Sequence, residues 1–476
     1  MSPGASVELS LPVTENTAAK KSGLSMEQQP VTHEERVRFR SGAFLILTQL
    51  LFLLYSLKYL LQPRRYPLFA MHSRNGGVLH WLKAGNVLGL TRQAVFRGKA
   101  FSAPLVPAFP SAAFDRMVAN GGMNVLAAGT EWKRQIDLAI LAVTRRCPLS
   151  CEHCYERYNT GGTETVSFDQ WKRTIAALQR IGTSVIVLSG GEPMVRFEDV
   201  LELLSSADKS ASDFHMHTSG MGVTRKRARL LREAGLTAAA VGLDDVVEAR
   251  HDRLRGRPGS YRQALQAVDW FREEGILPYL NMCLTRTLIR SGDLWRYLEL
   301  AKKANVAFIQ MLEPRPCGGF LGNAADVLLT EDDRAAVMRF FEATRDRRQY
   351  RNTPIVYYVA YTEHPRQMGC MMGGLSHFAI DGQGNVTPCV FLPVGFGNIL
   401  SEEFETIYNR MRKAIPHPVR ATCPSLLLGR TLMKEAVRGT AMPVPHEIIR
   451  EEFESIVHSA DQTSGALQKE SSGEPS

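Results

Sequence analysis

The sequence predicts an α/β protein whose core is a parallel sheet covered by helices. Short apolar runs rich in Val, Ile and Leu alternate with amphipathic, helix-like stretches between residues 137 and 312. Strands that alternate with helices in this way form βαβ units, and such units build parallel sheets. Two glycines and a proline follow one of the strands, which is typical of a tight turn where the backbone approaches a ligand.

Six strands and five intervening helices are predicted in regular order. The first strand is Asp137 to Thr144 and the second is Ser184 to Leu188, with a helix from Phe168 to Arg180 between them. The later elements are a helix (Phe197 to Ser206), a strand ending in His215 to Gly220, a helix (Val223 to Ala234), a strand (Ala238 to Leu243), a helix (Tyr261 to Glu274), a strand (Pro278 to Leu284), a helix (Asp293 to Ala304) and a strand (Ala307 to Leu312).

Three cysteines follow the first strand directly. Cys147, Cys151 and Cys154 are separated by three and then two residues, so their thiolates can hold one metal centre. Three cysteines on an iron–sulfur cube leave the fourth iron open for a small molecule. The spacing alone also allows a closed zinc site, in which His153 would be the fourth ligand.

The turn after the second strand gives the cysteines a context. It reads Gly190-Gly191-Glu192-Pro193. A Cys loop after one strand and Gly-Gly-Glu-Pro after the next resemble the radical S-adenosylmethionine (radical SAM) superfamily, whose motifs CX₃CX₂C and GGEP occur in this order. The resemblance implies the partial (β/α)₆ barrel of the radical SAM fold, with its functional site at the C-terminal ends of the strands.

The resemblance also implies a cofactor chemistry. Cys147, Cys151 and Cys154 would hold a 4Fe-4S cluster, and the amino and carboxylate groups of SAM would bind its fourth iron. One electron would cleave SAM to a 5′-deoxyadenosyl radical, which abstracts hydrogen from the substrate. A further expectation is an electron donor such as flavodoxin or ferredoxin.

Other cofactor-binding residues follow from the same family motifs. Tyr155 would pack near the adenine, and the stretch Gly190, Gly191, Glu192 and Pro193 would receive the methionyl amino group, through Glu192 and the local backbone. Ser219 stands where the family has Asn beside the ribose, and Gly242 stands where Ser is common. The segment from Gly242 to Tyr261 is similar to peptide- and protein-modifying members.

A second cysteine motif lies after the predicted barrel. Cys370, Gly384 and Cys389 form a CX₁₃GX₄C pattern around an Asp-Gly-Gln-Gly hairpin turn, and Cys423 follows. The pattern resembles the SPASM and twitch auxiliary-cluster domains, and a single downstream cysteine favours the shorter twitch type. It implies a second cluster on Cys370, Cys389 and Cys423, with Cys317 as a candidate fourth ligand. The alternative is that these are buried thiols without metal, as is expected for Cys283.

A histidine pair and a basic run are not expected to form metal or nucleic-acid sites. His215 and His217 alternate on one strand and so face the same side. Without an acidic or Cys partner at ligand spacing, they are expected to contact substrate or to be hydrogen-bonded, not to bind a metal. The basic run from Arg225 to Arg232 is expected to be a solvated helix face.

Composition agrees with this class of protein. The chain has 476 residues, which is too long for one ordinary domain. Of these residues 44% are hydrophobic, which is enough for a large core. Eight cysteines in a chain of this length indicate metal ligands in a reducing compartment, not a disulfide framework. The net charge of +9 is not concentrated in a basic cluster with aromatic residues, so no nucleic-acid function is expected.

The N-terminal part predicts attachment to a membrane. Residues 43–61 are mostly apolar and long enough to cross a bilayer, although a helix lying in the interface remains an alternative. The predicted organisation is a disordered segment (1–42), a membrane-anchor helix (43–61), an irregular lead-in or cap (66–130), the barrel (131–320), a C-terminal extension (321–458) with the cluster domain at about 368–430, and a disordered tail (459–476).

The sequence therefore predicts a membrane-attached radical SAM enzyme with its catalytic domain in the cytoplasm, where oxygen-sensitive clusters find their electron donors. The expected substrate is a peptide or protein. One alternative is the radical modification of a small molecule or of a lipid-linked molecule at the membrane. Another is a noncatalytic iron–sulfur protein for electron transfer or binding, although such a protein has no need of the Gly-Gly-Glu-Pro turn.

Overall fold

The computed structural model describes residues 36–40, 61–62, 92–119, 137–346, 348–420 and 422–458. The strands in these ranges are β1 (Arg38–Arg40), β2 (Gln93–Phe96), β3 (Lys99–Phe101), β4 (Leu138–Thr144), β5 (Val185–Gly190), β6 (Asp213–Thr218), β7 (Leu236–Gly242), β8 (Leu277–Cys283), β9 (Phe308–Leu312), β10 (Ile355–Tyr358), β11 (His377–Ile380), β12 (Val386–Thr387), β13 (Val394–Gly395) and β14 (Val444–Pro445).

The α-helices in the same ranges are α1 (Ala112–Ala119), α2 (Phe168–Ile181), α3 (Phe197–Ser206), α4 (Arg225–Glu233), α5 (Glu248–Arg255), α6 (Ser260–Glu273), α7 (Arg286–Arg290), α8 (Leu294–Lys303), α9 (Ala324–Val327), α10 (Glu331–Thr344), α11 (Val359–Thr362), α12 (Phe404–Ala414), α13 (Pro424–Val437) and α14 (Arg450–His458). The five helices predicted between the barrel strands correspond to α2, α3, α4, α6 and α8.

The central sheet has the order β10-β9-β8-β7-β6-β5-β4-β11-β12. All neighbours are parallel except β11 and β12, which form an antiparallel pair. The six predicted strands are β4 to β9, and the predicted α/β barrel is confirmed. The sheet also continues beyond the predicted end of the barrel at residue 320, because β10 pairs with β9 and β11 pairs with β4.

Side chains alternate across this sheet, as its geometry requires. On β4, Ala139, Leu141 and Val143 pack in the large core between the sheet and the surrounding helices. Leu138 and Ile140 of the same strand point to the other face, where they meet Val185 and Val187 of β5. This second face encloses the barrel interior, and its residues decide what the barrel can hold.

The N-terminal ends of the strands are covered by residues 92–119, which belong to the predicted lead-in. Strands β1 to β3 form a small antiparallel sheet. Phe96 and Phe101 pack there with Leu277, Tyr279 and Phe308 of the barrel. The backbone N–H of Ala108 donates to the Asp213 carboxylate at the start of β6, 3.2 Å away. We call residues 92–119 the plug, because they close this end.

Within the plug, Leu105 packs against the interior face of the sheet. It packs against Leu138, Ile140, Val185 and Val187. Its φ of 61° lies in the left-handed region, which is uncommon for a residue with a side chain. The surrounding contacts hold this backbone conformation, and they place an apolar side chain on the floor of the interior.

The predicted cluster-domain hairpin is present as β11 and β12, with Ala379 opposite Thr387. Asp381 organises the turn, because its carboxylate accepts from the backbone N–H groups of Gln383, at 2.8 Å, and Asn385, at 2.9 Å. Since β11 also pairs with β4, the second cysteine motif begins inside the barrel sheet and not in a separate layer.

The predicted membrane anchor at 43–61 lies outside the described residues except for Leu61, as do most of the predicted disordered segment and all of the tail. In the part of the chain that the structure describes, no helix combines the length and the apolar character needed to cross a bilayer. The prediction of a membrane anchor therefore stays a prediction.

Candidate functional site

The barrel interior contains a cavity of about 470 Å³ that runs from the plug to the loops at the C-terminal ends of the strands. Leu105 and Phe109 line it at the plug end. All eight cysteines of the chain line it as well, and all eight are free thiols: Cys147, Cys151, Cys154, Cys283, Cys317, Cys370, Cys389 and Cys423. The structure thus brings the two predicted cysteine sets to one chamber.

The first cysteine loop is fixed by backbone hydrogen bonds to the end of α5. The N–H of Ser150 donates to the Arg255 carbonyl at 3.2 Å, and the N–H of Glu152 donates to the Leu254 carbonyl at 2.9 Å. The next residue, Gly256, has a φ of 66°, and a Cβ there would overlap Ser150. The close approach of the two segments therefore requires glycine at this position.

The Gly-Gly turn is tied to the residues that enter the cysteine loop. The N–H of Gly191 donates to the Thr144 carbonyl at 2.8 Å, and the N–H of Glu192 donates to the Arg146 carbonyl at 2.9 Å. A Cβ on Gly191 would overlap the Arg146 carbonyl group. These glycines are needed because two backbone segments touch, and both line the cavity.

Glu192 connects the Gly-Gly turn to β6, and its predicted contact with SAM stays a prediction. Its buried carboxylate accepts from the Thr218 hydroxyl at 2.7 Å, the Ser219 hydroxyl at 2.6 Å and the Ser219 N–H at 2.8 Å. The Met194 N–H at 3.1 Å is a fourth donor. Burial raises the pKa of Glu192. Neither Glu192 nor Pro193 is among the residues lining the cavity, so Glu192 joins the turn to β6 through contacts that sequence reasoning missed.

Ser219 and Tyr155 both line the cavity. The Tyr155 hydroxyl is hydrogen-bonded to the Ser189 hydroxyl at 2.9 Å, and its ring packs edge-on against Phe391 at 6.1 Å. Burial raises the pKa of Tyr155, so it is a neutral phenol. The structure thereby brings Tyr155 and Ser219 to the wall that also carries Gly190 and Gly191.

A buried ion pair lies beside the first cysteine loop. The Asp244 carboxylate accepts from Arg255 Nε at 2.7 Å and from the Cys283 N–H at 2.9 Å. Burial alone would raise the pKa of Asp244, but Arg255, His153 and His251 outweigh it and lower the pKa to about 2. The Arg255 guanidinium also contacts the Cys151 sulfur. Asp244 and Arg255 line the cavity, and the sequence motif around them gave no reason to assign them to it.

Gly242 makes room for this ion pair. A Cβ at position 242 would overlap the Arg255 guanidinium. The departure from the family pattern at Gly242 thus has a structural reason, because the arginine fills the space of a serine side chain. His153, the alternative zinc ligand, has its Nε2 at 3.7 Å from Asp244, and burial lowers its pKa to about 4. It is therefore a neutral side chain against the ion pair.

The second cysteine set converges from several elements. Cys370 forms two backbone hydrogen bonds with Val419, at 2.9 and 3.0 Å, and Val419 precedes Cys423 by four residues. Cys423 is the N-cap residue of α13. Cys389 follows β12, and the N–H of Leu392 donates to its carbonyl at 3.1 Å. Cys317 is buried in the loop after β9.

The donor chemistry of these residues fits iron–sulfur clusters. In the described ranges, no group of three His, Cys, Asp or Glu side chains is placed to hold a single metal ion. A cluster differs from a single ion because each cysteine binds a different iron, so the thiolates surround a larger volume. Burial raises the pKa of Cys147 to about 11 and that of Cys154 to about 12, so iron binding would release their protons.

Polar side chains from neighbouring strands also face the cavity. Asn281 of β8 lies directly opposite Gln310 of β9, and both line the cavity. The side-chain oxygens Asn281 Oδ1 and Gln310 Oε1 are buried and have no hydrogen-bond partner among the described residues. These amides give the interior unused hydrogen-bonding capacity.

His215 and His217 both lie in the interior, and only His217 is among the residues lining the cavity. Neither ring nitrogen of His215, nor Nε2 of His217, has a hydrogen-bond partner in the described part of the chain. Burial lowers the pKa of His217 to about 4, so it is neutral. Of the two predicted explanations, hydrogen bonding does not describe His215, and substrate contact stays a prediction for His217.

Comparison with known sequences identifies the domains that contain the two cysteine sets. The sequence model of the radical SAM superfamily matches residues 141–304, and that of the SPASM iron–sulfur cluster-binding domain matches residues 370–424. A PqqA peptide cyclase from Rhodopseudomonas palustris is 31% identical over 265 residues, which are 53% of this chain and 67% of that protein.

The chain belongs to the radical SAM superfamily. It is a radical SAM enzyme with a SPASM domain, and both matched domains are iron–sulfur domains.

Two other similarities have lower sequence identity. An AdoMet-dependent heme synthase from Oleidesulfovibrio alaskensis is 24% identical over 310 residues, which are 61% of this chain and 79% of that protein. The crystal structure of Streptococcus suis SuiB bound to S-adenosylmethionine has a TM-score of 0.47 and 13% identity, covering 62% of this chain and 71% of that chain.

Proposed function

We propose that this radical SAM enzyme modifies a peptide or protein by hydrogen abstraction inside the barrel. Cys147, Cys151 and Cys154 would hold the cluster that binds SAM. Cys370, Cys389 and Cys423 would belong to an auxiliary cluster. The observation that carries the proposal is that both cysteine sets line one cavity of about 470 Å³, together with Gly190 and Gly191.

When bound, the first cluster and SAM supply the reductive cleavage that starts hydrogen abstraction. The chain contributes binding and orientation. Arg255 places a permanent cation beside Cys151, where it can bind a carboxylate, and Asp244 holds the guanidinium in position. Glu192 positions Ser219 at the cavity wall by accepting from its hydroxyl and N–H. Leu105 and Phe109 close the floor and limit the access of water.

The polar side chains of the interior support a substrate with amide groups. Asn281 and Gln310 lie opposite each other on neighbouring strands and have buried side-chain oxygens without partners among the described residues. An unpaired buried acceptor is costly, and a substrate N–H group would remove that cost. Peptide bonds present N–H and C=O groups together, which matches the donor and acceptor of a side-chain amide.

The names of relatives support two substrate classes. The similarity to a PqqA peptide cyclase, at 31% identity, favours the peptide. A second candidate is a small molecule of the type handled by AdoMet-dependent heme synthases, because one of these matches 61% of this chain.

The first experiment tests the radical chemistry. The full chain is reconstituted anaerobically with iron and sulfide, and then given dithionite and SAM. We expect 5′-deoxyadenosine, and we expect none from Cys151→Ala. An intact wild-type cluster that yields no 5′-deoxyadenosine would contradict the proposal.

The second experiment separates the two substrates. Short peptides encoded by neighbouring genes and an iron porphyrin of the heme class are tested for increased formation of 5′-deoxyadenosine. A peptide that does so, and that loses mass or transfers deuterium to 5′-deoxyadenosine, supports the first candidate. Turnover with the porphyrin alone would favour the second. Gln310→Leu is expected to lower the yield of modified substrate at least tenfold. The amount of 5′-deoxyadenosine formed without substrate should not fall with it.

We further propose that the electron donor is a flavodoxin or ferredoxin and that residues 43–61 attach the enzyme to the membrane, with the barrel in the cytoplasm. The nineteen-residue length and apolar character of that segment support the attachment. Fractionation of cells that express the full chain and a chain lacking residues 1–61 tests it. Recovery of both chains in the soluble fraction would refute membrane attachment.

A further inference from the structure

Cys317 lies where the two cysteine sets meet. It follows β9 in the sequence Pro314-Arg315-Pro316-Cys317 and is only 4% exposed. Its N–H donates to the Arg315 carbonyl at 2.8 Å, and its carbonyl accepts from the Phe320 N–H at 3.0 Å. These hydrogen bonds hold the residue in a compact turn, and the residue lines the cavity.

The elements that carry the second cysteine set pack around this turn. Helix α13, which begins after Cys423, crosses the turn at Gly429, where a Cβ would lie 2.8 Å from Pro316 Cγ. Cys370 is joined to the segment before Cys423 by its bridge to Val419. The N–H of Gly373, just after Cys370, donates to the Pro388 carbonyl at 2.9 Å, which brings Cys389 to the same place.

The four thiols line the same cavity. The packing of α13 on the turn at Pro316 brings the start of that helix, where Cys423 lies, next to Cys317. The bridge from Cys370 to Val419 and the hydrogen bond from Gly373 to Pro388 bring Cys370 and Cys389 to the same part of the cavity wall.

We infer that Cys317 is the fourth thiolate of the auxiliary cluster, which it closes together with Cys370, Cys389 and Cys423. This inference rests on the proposed function, in which the other three cysteines hold that cluster. A cluster with four thiolates has no open iron. The substrate therefore does not bind to an auxiliary iron, and the cavity wall alone positions it.

The same turn also rests on the first cysteine loop. The N–H of Gly319 donates to the Cys154 carbonyl at 2.9 Å. A Cβ on Gly318 would overlap the Cys154 carbonyl, and a Cβ on Gly319 would overlap the Glu152 carbonyl. Residues 317–319 thus join the two cluster sites through direct backbone contact, and closing the auxiliary cluster at Cys317 fixes its distance from the first.

Two other side chains near the four thiols are competitors for the fourth position. Cys283 lines the cavity at the end of β8. Glu363 also lines the cavity and carries a carboxylate that could bind iron. Both therefore serve as comparison variants.

The test uses the full chain with Cys147, Cys151 and Cys154 replaced by alanine, so that only the auxiliary cluster remains. After anaerobic reconstitution, we expect about four irons per chain and, in the reduced state, an EPR spectrum that ¹³C-cyanide does not change. Adding Cys317→Ala should create an open iron, seen as ¹³C hyperfine coupling with cyanide or as conversion to a three-iron cluster. Adding Cys283→Ala should leave the EPR spectrum as it was.

Several outcomes would overturn the inference. Cyanide coupling before Cys317 is changed would mean that the cluster is already open. A spectrum altered by Glu363→Gln but not by Cys317→Ala would assign the fourth position to Glu363. Binding of no iron by the background chain would refute the auxiliary cluster itself, and with it that part of the proposed function. Cys317→Ser keeps the size of the side chain, so altered spectra with a native circular dichroism spectrum identify ligation and not misfolding.

Discussion

At the C-terminal end of the barrel strands, the cavity wall carries polar and reactive side chains, whereas at the N-terminal end apolar side chains pack beside the two buried carboxylates of Asp137 and Asp213. The first end carries the cysteines and the Asp244–Arg255 pair, and the unpaired side-chain oxygens of Asn281 and Gln310 lie about half-way along β8 and β9. At the second end, Leu105 packs against Leu138 and Val185. Both ends are held by the same eight parallel strands, so the difference lies in the side chains and loops and not in the sheet.

Because of this difference, substitutions at the two ends are expected to have different effects. Apolar contacts gain free energy in proportion to the surface they bury and need no exact partner. Polar groups that are buried without partners lose free energy unless a ligand binds them. We therefore expect substitutions at the plug to change the free energy of unfolding without changing the chemistry. Substitutions at the C-terminal end should change cofactor binding and turnover, and they should also lower stability where a buried charge loses its partner. The following changes test this division, from the largest expected effect to the smallest.

Cys151→Ala should abolish the formation of 5′-deoxyadenosine and lower the iron content by about four atoms per chain, because two thiolates do not hold the cluster that binds SAM. The measurements are chromatography of 5′-deoxyadenosine and iron analysis after reconstitution. Cys283→Ala is the matched control, since it also removes a thiol from the cavity wall. Equal losses in both variants would contradict the assignment of the first loop.

Asp244→Asn should destabilise the protein by about 3–5 kcal/mol, because it leaves the buried Arg255 charge without its partner. The pKa of Asp244 is lowered to about 2 in the folded protein, against about 4 in an unfolded chain. Its contribution to stability is thus fully present above about pH 4 and is lost only as the pH falls through about 2.

Urea unfolding of the metal-free chain at several pH values between 5 and 8 measures this effect. The difference between wild type and Asp244→Asn should be the same at each pH. A difference that disappears at pH 5 would mean that Asp244 is not held in its charged form.

Leu105→Ala should destabilise the protein by about 1–2 kcal/mol, below the usual cost for a core leucine, because Leu105 is partly exposed to the cavity. Alanine keeps the left-handed backbone strain and removes only the apolar contacts. Thermal unfolding measures the stability, and the 5′-deoxyadenosine assay at low temperature measures the chemistry. Loss of SAM cleavage without loss of stability would break the proposed division between the two ends.

Tyr279→Phe should give the smallest change, an increase in stability of up to about 1 kcal/mol. The Tyr279 ring is buried among apolar residues near the plug, and its hydroxyl has no hydrogen-bond partner in the described ranges. Removing an unpaired buried hydroxyl removes its desolvation cost. A clear loss of stability would indicate that the Tyr279 hydroxyl has a hydrogen-bond partner.

Much of the fold could be predicted from local sequence patterns. The six strands β4 to β9, the five helices between them and the β11–β12 hairpin all lie close to their predicted positions, because period and turn residues identify such elements. The pairing of β11 with β4 could not be predicted, since Phe378 and Ala139 are far apart in the chain and either could have paired with other strands. Strand β10 was missed because four residues carry little pattern.

The site was predictable to a smaller extent. The cysteines could be predicted because their spacing is specific. A motif does not, however, indicate the direction in which a side chain points. The motif predicts that Glu192 helps to bind SAM, which stays a prediction, but the motif does not reveal that the carboxylate accepts hydrogen bonds from Thr218 and Ser219. The pairing of Asp244 with Arg255 could not be predicted because the two residues are eleven positions apart, one in the loop after β7 and one at the end of α5, and only the folded structure brings their charges together.

The overlap between residue 242 and Arg255 also limits how this protein can evolve. Because a Cβ at position 242 would occupy the space of the guanidinium, a mutation from glycine to serine is harmful while the arginine keeps its place. The arginine must first shorten or move, and that step alone would strand the Asp244 charge. We therefore expect glycine at position 242 and arginine at position 255 to change together, because either change alone would disturb the buried ion pair.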